Sequence, residues 1–281
     1  MDGGVTFGPA LPGEENRLRE LWKVCFGDED WYIDGFFRGR YRPGQAMTLR
    51  SGGEIVSMLL VFSREMRNPA GQALPLRYVY AFCTHPDAQG RGFGRRLLAW
   101  TEGRAARTGA RGVVMVPGER SLFDFYGTLG YETFCSLRER VITRDGSPEG
   151  LSVAPCSPEE YQTLRAEQLA GRWWMDYPRE SLDWQARLCA DSGGGLCRVG
   201  DGIAAVECWG GDIVIKELLS RAPDRAARSL LAALGGTHAL VREPVPAGEE
   251  GKPFGVIKWL DPAARSWWRG GEGGYLAFAF D

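Results

Sequence analysis

The sequence predicts an α/β protein of two domains, each built on a mixed, mostly antiparallel sheet (α+β in the broad sense). Three observations lead there. A near-continuous apolar run over 74–84 reads as a strand buried on both faces, as at the centre of an α/β sheet. That run leads through a glycine-rich loop into an amphipathic helix and a second short apolar strand over 113–116. The same order (two helices, strands, a helix, more strands) then recurs more loosely after residue 150, as a degenerate internal repeat. A chain of 281 residues is about two domains long. The turn formers Asp145-Gly146-Ser147-Pro148-Glu149-Gly150 mark the boundary, so the expected domains are residues 1–144 and residues 151–281.

In the first half, Leu18, Leu21, Trp22 and Cys25 recur at helical spacing over 14–26. A second helix is expected over 28–37, with Asp28 as its cap and Trp31, Ile33, Phe36 and Phe37 packing. Residues 47–49 and 55–63 flank Ser51-Gly52-Gly53 as a hairpin, and Asn68-Pro69-Ala70-Gly71 turns the chain into the long strand 74–84. The helix over 92–108 places Phe93, Leu97, Thr101 and Ala105 on one face. A shorter helix over 121–129 ends at Gly130, and 131–142 returns as a strand. In the second half, helices are expected over 158–169, 179–190 and 224–234. Strands are expected over 196–199, 203–209, 213–219, 239–242, 255–259 and 275–280.

Composition narrows the function classes. With 44% hydrophobic and 25% charged residues, the chain is neither disordered nor collagen-like. No stretch approaches a membrane span, and Met1 to Val5 lacks the start of a secretion signal. Seven cysteines without a C-x-x-C pair point to a reduced, cytoplasmic protein. His85 and His238 have no His or Cys partner at ligand spacing, which argues against a metal site, and no G-x-S-x-G elbow marks a serine hydrolase. The net charge of −2 divides unevenly: residues 1–144 hold 20 Lys+Arg against 16 Asp+Glu, and residues 145–281 hold 14 against 20. The acidic half and the scarcity of lysine disfavour nucleic acid as a partner. The basic half is where an anionic ligand belongs.

That half contains Thr84-His85-Pro86-Asp87-Ala88-Gln89-Gly90-Arg91-Gly92-Phe93-Gly94-Arg95-Arg96, between a strand and a helix. Glycine lets the backbone adopt unusual φ values and approach a ligand closely. The unbonded N–H groups of a helix's first turn, with its dipole, form an anion site suited to phosphate. Arg91, Arg95 and Arg96 can add charge-assisted hydrogen bonds. A Walker A loop needs Gly-Lys-Ser/Thr, which is absent, and evenly spaced Gly90, Gly92 and Gly94 do not fit G-x-G-x-x-G.

Gln89-x-x-Gly92-x-Gly94, preceded by a strand and His-Pro and followed by a helix, a strand, Phe125-Tyr126 and Gly130-Tyr131, resembles the acetyl-CoA-binding signature of the GCN5-related N-acetyltransferases. The resemblance covers roughly residues 5–142, and it implies that fold, followed by a degenerate domain of the same kind. It implies that backbone amides of Gln89, Gly90, Arg91, Gly92, Phe93 and Gly94 hold a CoA pyrophosphate, within reach of Arg91, Arg95 and Arg96. It implies that Phe82, Cys83 and Thr84 bond the pantetheine arm like an added strand, and that Tyr126 protonates the departing thiolate as general acid. The implied activity is direct transfer of an acetyl group from acetyl-CoA to a primary amine.

Two departures accompany the resemblance. Glu119 stands where the family often has asparagine, seven residues before the tyrosine, with Ser121 as a weak substitute. The strand over 77–84 carries no Asp or Glu, where some members keep a general base. By loose similarity to tandem acetyltransferases related to the mycobacterial enhanced-survival proteins, the α-carboxylate at Asp281 is a candidate base. The alternative is a non-catalytic acyl-CoA sensor or interaction protein. Plainer readings stand beside these: His85 as a family turn residue, Cys83 as a buried strand residue, and Trp173-Trp174-Met175-Asp176-Tyr177 and Trp267-Trp268 as core or docking surface rather than cleft wall. After 213–219 the second half runs Ser220-Arg221-Ala222-Pro223-Asp224, with no glycine loop, so it is expected to shape the acceptor site or stabilise the first domain. The acceptor, a small molecule or a peptide, is not specified. The acidic half suits a cationic amine such as a polyamine, aminoglycoside or lysine-like group, and serves solubility equally well. Oligomeric state is not legible.

Overall fold

A computed structural model describes residues 4–144, 150–246, 248–268 and 273–278. The first half runs β1 (Val5–Pro9), α1 (Glu15–Phe26), α2 (Asp30–Gly39), β2 (Ala46–Ser51), β3 (Glu54–Arg67), β4 (Ala73–Thr84), α3 (Phe93–Arg107), β5 (Gly112–Met115), α4 (Arg120–Gly127) and β6 (Glu132–Thr143). The second runs β7 (Val153–Pro155), α5 (Pro158–Leu169), β8 (Trp174–Asp176), α6 (Arg179–Asp191), β9 (Gly195–Val199), β10 (Gly202–Trp209), β11 (Asp212–Leu219), α7 (Pro223–Leu234), β12 (His238–Pro244), β13 (Lys252–Trp259) and α8 (Pro262–Trp267).

The chain forms two compact units that are not consecutive in sequence. One comprises 1–64, 75–132 and 256–268; the other comprises 65–74, 133–255 and 269–281. In the first unit the strand order is β1-β2-β3-β4-β5 and then the end of β13. β1, β2 and β3 pair antiparallel, β4 and β5 pair parallel, and β13 lies antiparallel to β5 with Lys258 opposite Val113. In the second unit the order is β7-β9-β10-β11-β12-β6, with β11 and β12 parallel and the other pairs antiparallel. The expected internal repeat is therefore visible strand for strand, with β4–α3–β5 answered by β11–α7–β12.

This division differs from the sequential one at 144/151 by three pieces: 65–74 and 133–144 lie in the second unit, and 256–268 lies in the first. Each parallel pair needs an antiparallel neighbour for the open edge of its short outer strand, and each takes it from the other half of the chain. β5 takes the end of β13 and β12 takes β6. Sequence periodicity reports a strand but not its partner, which is why the exchange is absent from a reading by segments. Of the expected linker, residues 145–150, all but Gly150 lie outside the described residues.

Other differences have local causes. α2 begins after Asp28 rather than on it, because Asp28 Oδ2 accepts the Trp22 indole N–H at 2.6 Å. β1, β7, β8 and α8 were not expected; the three strands are too short for a period. α8 does carry a start signal, since Asp261 accepts the Ala263 N–H and Pro262 follows it. The strand expected over 275–280 is reduced, in its described part, to isolated bridges between Gly274 and Cys135 and between Tyr275 and Trp174.

One face of the first unit buries Leu97, Leu98 and Ala105 of α3 with Val79, Val113, Met115, Tyr126 and Tyr131. Under α1 and α2, Trp22 packs on Phe36, Phe37 and Tyr80. In the second unit Arg165 and Glu217 form an ion pair at 2% and 0% exposure. Arg165 Nε donates to both carboxylate oxygens at 3.0 Å, and Tyr161 donates to Oε2 at 2.7 Å. The rings of Trp174, Tyr177, Tyr275 and Phe278 surround the guanidinium. The aromatic run 173–177 is thus core.

A fragment of residues 1–144 would leave the outer edge of β5 bare and β6 without β12. It should give no cooperative thermal transition by circular dichroism, whereas the full chain should. A cooperative melt in the fragment would contradict the strand exchange.

Candidate active site

The site is built where β4 outruns β5. Their parallel pairing covers Leu76 to Val79 opposite Gly112 to Met115, after which β4 continues to Thr84 without that neighbour. Ala81 has φ +47°, a rare value for a residue with a Cβ, and breaks the regular strand there. The far side of this stretch is fastened. Ser57 Oγ donates to the Cys83 carbonyl at 2.8 Å and shares a hydrogen bond with Thr84 Oγ1 at 2.9 Å. The His85 N–H donates to the Val56 carbonyl at 2.9 Å. Phe82, Cys83 and Thr84 are therefore held in extended form along an opening.

The loop that follows is braced from within. His85 Nδ1 accepts the Asp87 N–H at 3.3 Å, starting a 3₁₀ turn over Pro86–Ala88. This gives His85 a structural job. Gln89 reaches back with its side-chain amide to the Thr84 carbonyl at 3.1 Å, so the side chain of the signature glutamine spans the loop. Gly92, at φ +71°, is the cap residue of α3, and no side chain caps the helix. The first intrahelical bond is Arg96 N–H to Gly92 C=O at 3.1 Å. The amides of Phe93, Gly94 and Arg95 thus have no acceptor inside the helix and carry the positive end of its dipole. A Cβ on Gly94 would stand 3.2 Å from both Phe82 Cζ and Thr84 Oγ1, so glycine lets the helix start lie directly against the end of β4.

The cations lie around that helix start. The Arg91 guanidinium sits 4.5 Å from the Phe93 ring centroid, and that of Arg96 is 5.7 Å from Phe7 and 6.0 Å from Phe93. Arg95 is exposed. These stacked positions keep positive charge at the surface beside the bare amides.

Tyr126 lies on α4 with its ring buried, 5.3 Å from Phe125 and 5.7 Å from Tyr131 between centroids. Its hydroxyl makes no hydrogen bond among the described residues. Burial alone pushes the phenol up to about 12. Tyr131 donates to Glu102 Oε1 at 2.8 Å, and Lys258 donates to Glu102 Oε2 at 2.6 Å. Sequence reading missed Glu102 and Lys258. Glu102 falls on the buried face of a helix whose periodicity marks apolar positions, and Lys258 lies 156 residues further along the chain.

The remaining candidates separate clearly. Cys83 is buried, and its thiol, hydrogen-bonded to that of Cys25 and desolvated, is held well above the ordinary thiol range. Ser121 donates its hydroxyl to Glu119, so these two exposed residues occupy one another. Trp267 is exposed and Trp268 stacks on Trp259. Asp281 lies outside the described residues. Among the described residues no group of three His, Cys, Asp or Glu side chains could hold a metal ion.

The site is thus a mixed sheet that opens beside a glycine-capped helix. Residues 9–134 match the acetyltransferase (GNAT) domain family. The fold of the chain is similar to that of a GCN5-related N-acetyltransferase from Kribbella flavida, at 16% identity and TM-score 0.71, over 94% of this chain and 73% of that one. Eis1 from Mycobacterium abscessus is similar at 15% identity and TM-score 0.68, over 94% and 76%. A tandem GNAT protein from the clavulanic acid biosynthesis pathway is similar at 13% identity and TM-score 0.53, over 92% and 99%. None of the curated proteins matches the chain.

The raised phenol of Tyr126 has a defined pH signature. Its ordinary value is near 10. A group raised on folding stabilises the fold below its unfolded value and loses that contribution as pH climbs through the folded one. Ultraviolet titration should therefore show one tyrosinate ionisation at about 12 that Tyr126→Phe removes. Its persistence in the variant would contradict the burial of that hydroxyl.

Proposed function

We propose that this chain is an N-acetyltransferase that moves an acetyl group from acetyl-CoA to a primary amine by direct transfer in a ternary complex. The observation that carries the reading is the uncapped start of α3, lying against the unpaired end of β4. The residues present fit acetyl-CoA. The Phe93, Gly94 and Arg95 amides, entered through left-handed Gly90 and Gly92, suit a pyrophosphate. Arg91, Arg95 and Arg96 supply the counter-charge. Phe82, Cys83 and Thr84 present backbone to a pantetheine arm as a strand would. When bound, acetyl-CoA supplies an activated acetyl group and a thiolate leaving group.

In this reading the β4 amides orient and polarise the acetyl carbonyl. Tyr126, neutral at any physiological pH, holds the proton that the leaving thiolate needs at its hydroxyl. β4 offers no carboxylate beside the acceptor, so the amine's proton leaves through water, through a base outside β4, or from an amine of low pKa. The acceptor is a small molecule or peptide amine, and the acidic second half favours a cationic one. The free cysteines are in keeping with a reducing, cytoplasmic setting. The second half contributes β13 to the first unit, and its own strand–helix turn begins α7 at Pro223 with no glycine cap.

The absent β4 carboxylate and the Glu119–Ser121 contact favour a second reading, an acyl-CoA sensor without transfer. Acetyl-CoA consumption over a panel of polyamine, aminoglycoside and lysine-ester acceptors separates the two. Tyr126→Phe should lower kcat by about a hundredfold and leave acetyl-CoA affinity unchanged; an unaltered kcat removes the general-acid role. Gly92→Glu places bulk and negative charge at a left-handed position and should abolish acetyl-CoA binding by calorimetry. Retained affinity would refute the loop assignment.

A further inference from the structure

We infer that Glu102 and Lys258 are positioning residues for the transfer, acting on Tyr126 through Tyr131. The inference rests on the reading of Tyr126 as general acid. Among the described residues nothing hydrogen-bonds the Tyr126 hydroxyl, so its ring is oriented by packing, and the Tyr131 ring is one of its direct contacts. The Tyr131 N–H donates to the Tyr126 carbonyl at 3.1 Å, and the two rings meet at 62°. Tyr131 is in turn held by a carboxylate whose two oxygens are divided between partners. Oε1 of Glu102 takes the Tyr131 hydroxyl and Oε2 takes Lys258 Nζ. Lys258 Nζ also lies 5.7 Å from the Tyr131 ring centroid. Its stem covers the turn after α4, where a Cβ on Gly130 would be 3.7 Å from Lys258 Cε.

Glu102 is 7% exposed. A buried carboxylate costs stability unless it is paired and hydrogen-bonded, and replacing such a buried pair by apolar residues of similar volume is often neutral or stabilising. What the polar trio adds is direction. It fixes the Tyr131 ring, and with it the neighbouring Tyr126 ring. It also ties α3, whose start is the anion site, to α4, which carries the phenol. Lys258 comes from β13, the strand delivered by the second half of the chain. The rate of a reaction on the first half thus depends on a residue near the other end of the sequence.

A double-mutant cycle tests this, using acetyl transfer by the full chain to the fastest amine of the panel, with acetyl-CoA affinity measured by calorimetry. Lys258→Met should lower kcat about tenfold and change KM and acetyl-CoA affinity less than about twofold. In a Tyr126→Phe background the same substitution should change kcat less than about twofold, because the group it positions is gone. Lys258→Arg, which keeps the charge and a donor, should recover most of the rate. An equal loss in both backgrounds, or no loss in the parent, overturns the inference while leaving the Tyr126 reading intact. A Tyr126→Phe variant at the parent rate overturns both. Should Lys258→Met not fold, Tyr131→Phe removes only the hydroxyl and should show the same dependence on Tyr126; independence there overturns the inference.

Discussion

β4 is longer than the parallel strand beside it, and the candidate site exists because of that mismatch. While β4 and β5 pair, the sheet is closed and its amides are spent on the ladder. Past Val79 the amides of β4 face no strand on that side, and the other side is secured to β3 and Ser57. An opening of this kind would normally be filled by a side chain from the overlying helix. Gly94 prevents that, since its missing Cβ is what allows α3 to start against Phe82 and Thr84. A row of strand amides and a row of helix amides therefore meet at one corner. Backbone donors in fixed positions are well suited to anions and carbonyls, because no side-chain entropy is lost in presenting them.

The second constraint is the supply of an edge. A β4–α3–β5 crossover ends on a short strand with a free side, and both halves of this chain have that problem at the corresponding place. Each solves it with a strand from the other half. The exchange seats a strand from the second half of the chain in the first unit, while the second half's own crossover has no glycine loop. It also delivers Lys258 to the buried Glu102. The degenerate half can thus lose the glycine loop while its strand-forming pattern is kept. Ile213, Ile215 and Leu218 of β11 pack with the α7 face of Ala226, Ala227, Leu230 and Leu231 in one apolar cluster.

Much of this was legible in the sequence where the information is local. The glycine loop, the helix over 92–108 and the apolar strand before it follow from spacing, Tyr126 was singled out by the family resemblance, and α5 begins and ends on its expected residues. The electrostatic asymmetry also pointed to the half that carries the glycine loop. What was not legible is non-local. No periodicity says that the strand ending at Trp259 pairs with Gly112 to Met115, nor that a lysine on it meets Glu102. A lone carboxylate on an apolar helix face was the available signal, since a buried charge demands a partner. Asp28 was misplaced for the opposite reason: its sequence context fits a helix cap, and tertiary structure spends it on Trp22. The role of Gln89 as a brace, rather than a source of ligand contacts from its side chain, likewise required coordinates.

The central claim is that one anionic acyl carrier binds along the unpaired end of β4 and on the start of α3. Hydrogen–deuterium exchange of the full chain with and without CoA tests it most directly. Protection should rise at the amides of 82–84 and 90–95 and remain unchanged over 220–226, the corresponding turn of the second half. Protection centred on that second turn, or none at either, would contradict the account.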